Sequence, residues 1–240
     1  YYALKALEKT TAVLCSDTVP SRYAFTNPRL FKGEFEPRTV IAVDVAGLQL
    51  FGENNGVPQF ARHVDLCIDH HAGNNGYADF TLLDAGAAAA AELLYQVIVE
   101  MGVPITPHIA DCLYTGIATD TGCFKFSSTT ANTHTVAAKR CCLRRPHQRA
   151  AAQPERERRG RSTACRYRTD RGLTAFAERM DHWMTEQLNV QQMAQRLLAA
   201  DNILILCHKN PDGDTIGCSS ALYYALKALE KTTAVLCSDT

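Results

Sequence analysis

The segment ILILC, Ile203 to Cys207, is an unbroken apolar run of five residues bounded by polar sequence on both sides. A run this short, with no polar alternation, fits a strand buried on both faces, and such strands belong to parallel sheets covered on each side. The polar loop HKNPDGDT follows, then a helical stretch SSALYYALKALEK and a second apolar run TAVLCSD. This is a β-loop-α-β unit, whose strands are expected to pair in parallel. Further strands are expected at TVIAVDVA and VDLCIDHH. Helices are expected over Ala85–Met101, Ile109–Asp120, Thr129–Lys139 and Thr185–Ala200. Strands alternating with helices predict an α/β fold, a mostly parallel sheet sandwiched by helices. Ligands of such sheets bind at the carboxyl ends of the strands.

Residues 1–18, YYALKALEKTTAVLCSDT, recur unchanged as 223–240. Identity at every position, solvent-facing ones included, is unlike two diverged repeats. It fits a sequence that closes on itself, as a circularly permuted one would. Two copies of the strand TAVLCSD must then compete for one place in the sheet. Between Arg140 and Arg171 arginine dominates, lysine is absent and apolar periodicity is lost. A basic arm for nucleic acid would look similar, but the stretch lacks interleaved aromatics beyond Tyr167, so it reads as a disordered linker. The expected organisation is a part-domain over 1–139, a linker over 140–178 and a second part of the same domain over 179–240.

Equal numbers of acidic and basic residues, 25 of each, exclude binding driven by bulk charge. No apolar run approaches the roughly 20 residues that span a bilayer. A cytoplasmic protein without membrane contact is expected, with a homodimer admitted. The ten cysteines form no Cys-x-x-Cys pair. Cys67, Cys207 and Cys237 sit inside apolar runs, so buried reduced thiols are expected.

The informative residues are acids and histidines at the ends of strands. His208, Asp212 and Asp214 follow ILILC, Asp44 ends TVIAV, Asp69, His70 and His71 end DLCI, and Asp120 closes a helical run. Singly, each has a plain explanation: Asp212-Gly213 is a good turn dipeptide, and Asp44 could cap a helix. Together they bring several carboxylates to one sheet edge, where like charges repel unless a cation neutralises them. Carboxylates with a minority of imidazoles and no thiolates suit Mn²⁺ or a similar six-coordinate ion. There are enough of them for two ions, a centre suited to phosphoryl displacement.

Four stretches, HKNPDGDTIG, IAVDVA, CIDHH and YTGIATDTGCFKFSST, resemble the successive motifs of the DHH phosphoesterases. The branch of bacterial oligoribonucleases and phosphoadenosine-phosphate phosphatases is the most similar. The resemblance implies that His208 and Asp212 bind one metal ion, that Asp214, His70 and Asp120 bind a second, and that Asp44 bridges the two. It also implies that His71 contacts the scissile phosphate, that Asp69 orients a histidine, and that Asn210, Ser127 and Ser128 border the substrate. The implied cofactor is a pair of Mn²⁺ ions, with Mg²⁺ or Co²⁺ as substitutes. The implied substrate is a short oligoribonucleotide, adenosine bisphosphate or a linear or cyclic dinucleotide, hydrolysed by a metal-activated water. The motif order departs from the family's, because its first motif stands last here. The family's Gly-Gly-Gly-His substrate motif is absent. An inactive DHH module, a permuted fragment, a RecJ-type exonuclease and a manganese pyrophosphatase are the alternatives.

Overall fold

A computed structural model of the chain describes residues 11–14, 17–26, 36–54, 56–143 and 185–229. Six strands form one sheet in the order β1-β6-β2-β3-β4-β5, and every described pairing is parallel. They are β1 (Thr11–Leu14), β2 (Thr39–Val43), β3 (Leu66–Asp69), β4 (Phe80–Leu83), β5 (Glu186–Gln187) and β6 (Ile203–Leu206). The helices are α1 (Val57–Phe60), α2 (Ala90–Glu100), α3 (Pro107–Asp120), α4 (Ala131–Leu143), α5 (Val190–Ala199) and α6 (Gly213–Ala228). The expected α/β class with a parallel sheet is borne out.

The apolar runs are explained by burial on two faces. Ile203 and Ile205 of β6 join Ile41 and Val43 of β2 and Leu66 and Ile68 of β3 in one core, beneath α2, α3, α5 and α6. Leu204 and Leu206 face the other way, with Val40, Ala42 and Cys67, against Phe51, Val57 and Val64. All four residues of β6 are at most 2% exposed. Burying each such side chain contributes roughly 1.5–3 kcal/mol, so this strand anchors both layers. Among the described residues, the second face is covered by α1 and connecting loops rather than by long helices.

The last of the described strands is the second in the sheet. Ile203 pairs with Thr11 on one side and with Thr39 on the other. The place beside β6 is taken by β1, from the first copy of the duplicated segment, while the second copy supplies Tyr223–Ala228 of α6. Residues 233–236, which repeat β1, lie outside the described residues. So do residues 144–184, which include most of the expected linker.

Several boundaries differ from the sequence expectation. α2 begins at Ala90 rather than Ala85, because Ala89 is extended, with φ −159° and ψ 150°. α4 continues to Leu143, four residues past Lys139, since Arg-Cys-Cys-Leu contains no helix breaker. α5 starts only at Val190, where Asn189 and Gln192 form a capping box. The residues before that cap pair instead with β4: the Glu186 amide donates to the Asp79 carbonyl at 2.8 Å. The short strands β4 and β5 were not anticipated.

α3 and α6 approach closely through glycine. A Cβ on Gly217 would strike the carbonyl oxygen of Cys112, and one on Gly116 would strike the Asp214 carboxylate. Gly217→Ala is therefore expected to lower stability by about 1–3 kcal/mol, read as a lower urea midpoint. An unchanged midpoint would mean that the helices can part without cost. Because residues 233–236 repeat β1, a chain lacking residues 1–18 is expected to keep a cooperative urea transition. Loss of that transition would show that only the first copy can serve as the edge strand.

Candidate metal centre

Three adjacent strands, β6, β2 and β3, release their chains at one edge, and each is followed by ligand-type residues: His208, then Asp44, then His70 and His71. α6 begins at the same edge. Asp212 caps it, accepting hydrogen bonds from the amides of Asp214 and Thr215, both at 3.0 Å. Asp214 stands in its first turn, fully buried. Asp120 arrives at the C-terminal end of α3.

Asp44 is the junction. Its backbone is left-handed, φ 62°, which costs a non-glycine residue roughly 1–2 kcal/mol. Its side chain is 2% exposed, and Oδ1 is buried without a hydrogen-bond partner among the described residues. Ligand atoms of Asp44, His70, Asp120 and Asp214 all lie within 4.8 Å of one another, and so do those of Asp44, His208 and Asp212. These two groups of donors share one carboxylate, as does a third made of Asp44, His70 and His71.

The histidines present matching nitrogens. His70 has Nδ1 3.2 Å from the Ala87 carbonyl oxygen, and His208 has Nδ1 2.7 Å from the Lys209 carbonyl oxygen. A carbonyl only accepts, so both Nδ1 atoms carry hydrogen and donate, which leaves Nε2 as the ligand atom. His70 Nε2 lies 3.2 Å from Asp120 Oδ2, 3.5 Å from Asp44 Oδ1 and 4.0 Å from Asp214 Oδ2. His208 Nε2 lies 3.6 Å from Asp212 Oδ2 and 3.8 Å from Asp44 Oδ2. Donors around one cation, each about 2.0–2.2 Å from it, stand roughly 3–4 Å apart. Asp44 Oδ1 and His70 Nε2, both buried and neither in a hydrogen bond among the described residues, therefore fit a divalent ion.

Asp214 also meets the start of α2. The amides of Ala90 and Ala91 donate to its two oxygens at 2.7 and 3.2 Å, and the Cys218 thiol donates at 3.1 Å. The helix therefore begins on a carboxylate 124 residues away rather than on a local cap. Gly116 and the alanine-rich sequence around Ala89 leave room for this approach.

The charges explain one another. Burial, with Asp212 and Asp120 nearby, raises the Asp44 carboxyl to about 6, against the lowering pull of His70. Burial and the neighbouring Asp44 and Asp120 raise Asp214 well above the carboxylate range. Burial opposes charge on His70, but Asp120 and Asp44 outweigh it and raise its pKa to about 11. At His208, Asp212 and the Lys209 carbonyl likewise overcome burial, raising the pKa to about 9. Asp212 is lowered, because His208 and two amides outweigh its burial. Protonated imidazoles thus supply the positive charge that the carboxylates require.

His71 stands beside the cluster, with Nδ1 3.6 Å from Asp44 Oδ1, and is held by contacts of its own. Asp69 is fully buried; its Oδ1 lies 2.7 Å from His71 Nδ1, and its Oδ2 accepts from Asn74 Nδ2 at 2.6 Å. Burial works against the Asp69 charge, but His71 and Asn74 outweigh it and lower its pKa. The Asp69 carboxylate in turn raises His71, which is half-exposed and keeps Nε2 for a ligand.

Asn210 is exposed and left-handed, with φ 51°, and its amide donates to Asp17 Oδ2 at 2.7 Å. Ser127 and Ser128 are exposed in the turn after Asp120, and no described hydrogen bond joins them to the cluster. Sequence reasoning missed Asn74, Asp17 and Glu92. Glu92 is 1% exposed and accepts hydrogen bonds from Thr133 Oγ1 and Asn132 Nδ2, both at 2.6 Å, tying α4 to α2. Its one sequence signal is an acid set in the alanine-rich first turn of a helix.

Fold and site together define a carboxylate-histidine cluster that could hold metal ions, at the carboxyl edge of a parallel sheet. Residues 1–117, just under half of the chain, match the DHH family, N-terminal domain, which bears out the resemblance to that family over this stretch, with IAVDVA and CIDHH inside it. The match stops before Asp120 and does not include His208–Asp214, which the fold brings to the same edge. The chain is 40% identical over 72 residues to the bifunctional oligoribonuclease and PAP phosphatase NrnA of Thermus thermophilus, covering 30% of this chain and 22% of that protein. It is 30% identical over 102 residues to the protein of that name in Bacillus subtilis, covering 41% and 32%. An uncharacterized protein of Mycoplasma pneumoniae is 39% identical over 72 residues, covering 30% and 22%. The matched part of the chain thus spans between a fifth and a third of the length of these relatives. Among the described residues, no helix is long and apolar enough to cross a membrane.

Bound cations must displace protons from His70 and His208, so metal affinity should rise with pH and weaken as pH falls. Calorimetry at pH 7 in buffers of different ionisation enthalpy is expected to show release of roughly one to two protons on metal uptake. Uptake without proton release would mean that these imidazoles are neutral in the free protein.

Proposed function

We propose that the chain is a manganese-dependent phosphoesterase hydrolysing short oligoribonucleotides, adenosine bisphosphate or linear or cyclic dinucleotides. The observation that carries this reading is the pair of donor groups sharing Asp44, each with a histidine whose Nδ1 is committed to a carbonyl. The family match and the names of the relatives from Thermus thermophilus and Bacillus subtilis support the reaction and substrate class. The preference for Mn²⁺ rests on a donor set of carboxylates with few imidazoles.

His208 and Asp212 would hold one cation, Asp214, His70 and Asp120 the other, and Asp44 both. When bound, the cations supply an activated water and neutralise charge on the phosphoryl oxygens. The protein's own groups do the rest. Asn74 fixes Asp69, Asp69 fixes the His71 ring, and His71 Nε2 remains to contact a phosphate oxygen. The Ala90 and Ala91 amides donate to the two Asp214 oxygens and hold that carboxyl group oriented as a ligand. Asn210, Ser127 and Ser128 would border the substrate from the loops that flank the cleft.

The test is hydrolysis of a diribonucleotide with and without Mn²⁺, beside Asp44→Asn. Metal-dependent turnover is expected, and the substitution should cost more than the roughly 10–100-fold typical of a residue that merely supports a ligand. Nucleotide binding without turnover would favour a non-catalytic module. Preference for pyrophosphate over nucleotide esters would favour a manganese pyrophosphatase.

A further inference from the structure

The turn that follows Asp120 is built against the preferences of its residues. Gly122, Cys123 and Phe124 are consecutively left-handed, with φ of 54°, 57° and 66°. Only the first is glycine, and left-handed residues normally occur singly. Thr121 holds this reversal. Its carbonyl accepts the amides of Lys125 and Phe126 at 2.9 and 3.1 Å, and its hydroxyl accepts the Phe124 amide at 3.0 Å. A strained segment of this kind persists where surrounding contacts over-determine it, and such segments cluster at functional sites.

The reversal sends two aromatic rings in opposite directions. Phe124 turns inward, stacked on His134 with ring centroids 5.2 Å apart and tilted by 20°, and 6.0 Å from Tyr114. Phe126 folds back over Gly122, its ring 2.6–3.0 Å from where a Cβ on that glycine would stand. The tip of the ring is therefore seated against the chain two residues beyond Asp120. Phe126 is nonetheless 57% exposed, the most exposed large apolar side chain among the described residues. Lys125, Ser127 and Ser128 are exposed around it.

The geometry points to Phe126 as a stacking platform for the nucleobase of a nucleotide whose phosphate occupies the adjacent centre. This rests on the phosphoesterase reading and narrows it, since a platform of this kind selects phosphate esters that carry a base over those that do not. Aromatic stacking accepts any base, because each presents a π-face, so the selection is for nucleotides as a class. The neighbouring Lys125 and hydroxyls suit the sugar-phosphate backbone that leaves the site.

Calorimetric titration of the full chain with adenosine 5′-monophosphate and with ribose 5-phosphate, in the presence of Mn²⁺, tests the platform directly. Wild type is expected to bind the nucleotide roughly tenfold more tightly than the base-free sugar phosphate. Phe126→Ala and Phe126→Leu should abolish that ratio, whereas Phe126→Trp should keep or enlarge it. A base advantage that survives in Phe126→Ala, or that is absent from wild type, overturns the proposal. The hydrolysis assay reads the parent function separately. Metal-dependent turnover without a base advantage removes only the platform. A Phe126-dependent base advantage without turnover keeps the platform and removes the phosphoesterase.

Discussion

Carboxylates crowded at one edge of the sheet set the terms for the rest of the structure. Asp44, Asp120 and Asp214 repel one another in a buried place, and Asp44 Oδ1 is left without a hydrogen-bond partner there. Such repulsion is relieved by positive charge among the oxygens or by a proton kept on one of the carboxyls. The histidines provide that charge in the free protein, with their Nδ1 atoms held by carbonyls so that Nε2 faces the acids. The same orientation that neutralises the cluster also prepares it to exchange protons for cations. Left-handed backbone at Asp44 and Asn210 is part of the cost of this concentration of charge.

Packing behind the site serves the same end. Asp214 reaches the start of α2 because alanines surround Ala89 and because Gly116 of α3 offers no side chain. Gly217 lets α6 press against the backbone of α3, which carries Asp120 at its end. Helix contact and ligand placement are thus one geometric problem, solved by small residues. Glu92 extends the solution outward, joining α2 to the start of α4 through buried hydrogen bonds.

The central strands were legible because β6, β2 and β3 are buried on both faces and leave continuous apolar runs. β4 and β5 were not, being a four-residue and a two-residue element whose pairing depends on neighbours. The alanine-rich stretch 85–91 reads as helix on propensity, yet its first residues form the loop that supplies the Ala87 carbonyl to His70. The acids and histidines were legible as a group because chain order places them just past the strands. Asn74 was not, since its role exists only through a contact with Asp69 across a turn. Nor could Asp17 be found, because its bond to the Asn210 amide joins residues 193 positions apart.

The placement of β6 bears on how the chain reaches this state. The strand that anchors both cores and the loop that holds His208, Asp212 and Asp214 come after residue 200. During synthesis, β2, β3 and β4 must wait with an open flank beside β2 until that strand emerges. Contacts between such distant segments form slowly, and unfinished parallel sheets expose apolar edges meanwhile. The arrangement leaves the flank of β2 open from translation of the first half until β6 arrives. Shielding by chaperones would matter most then, and a cation would have no complete site until that period ends.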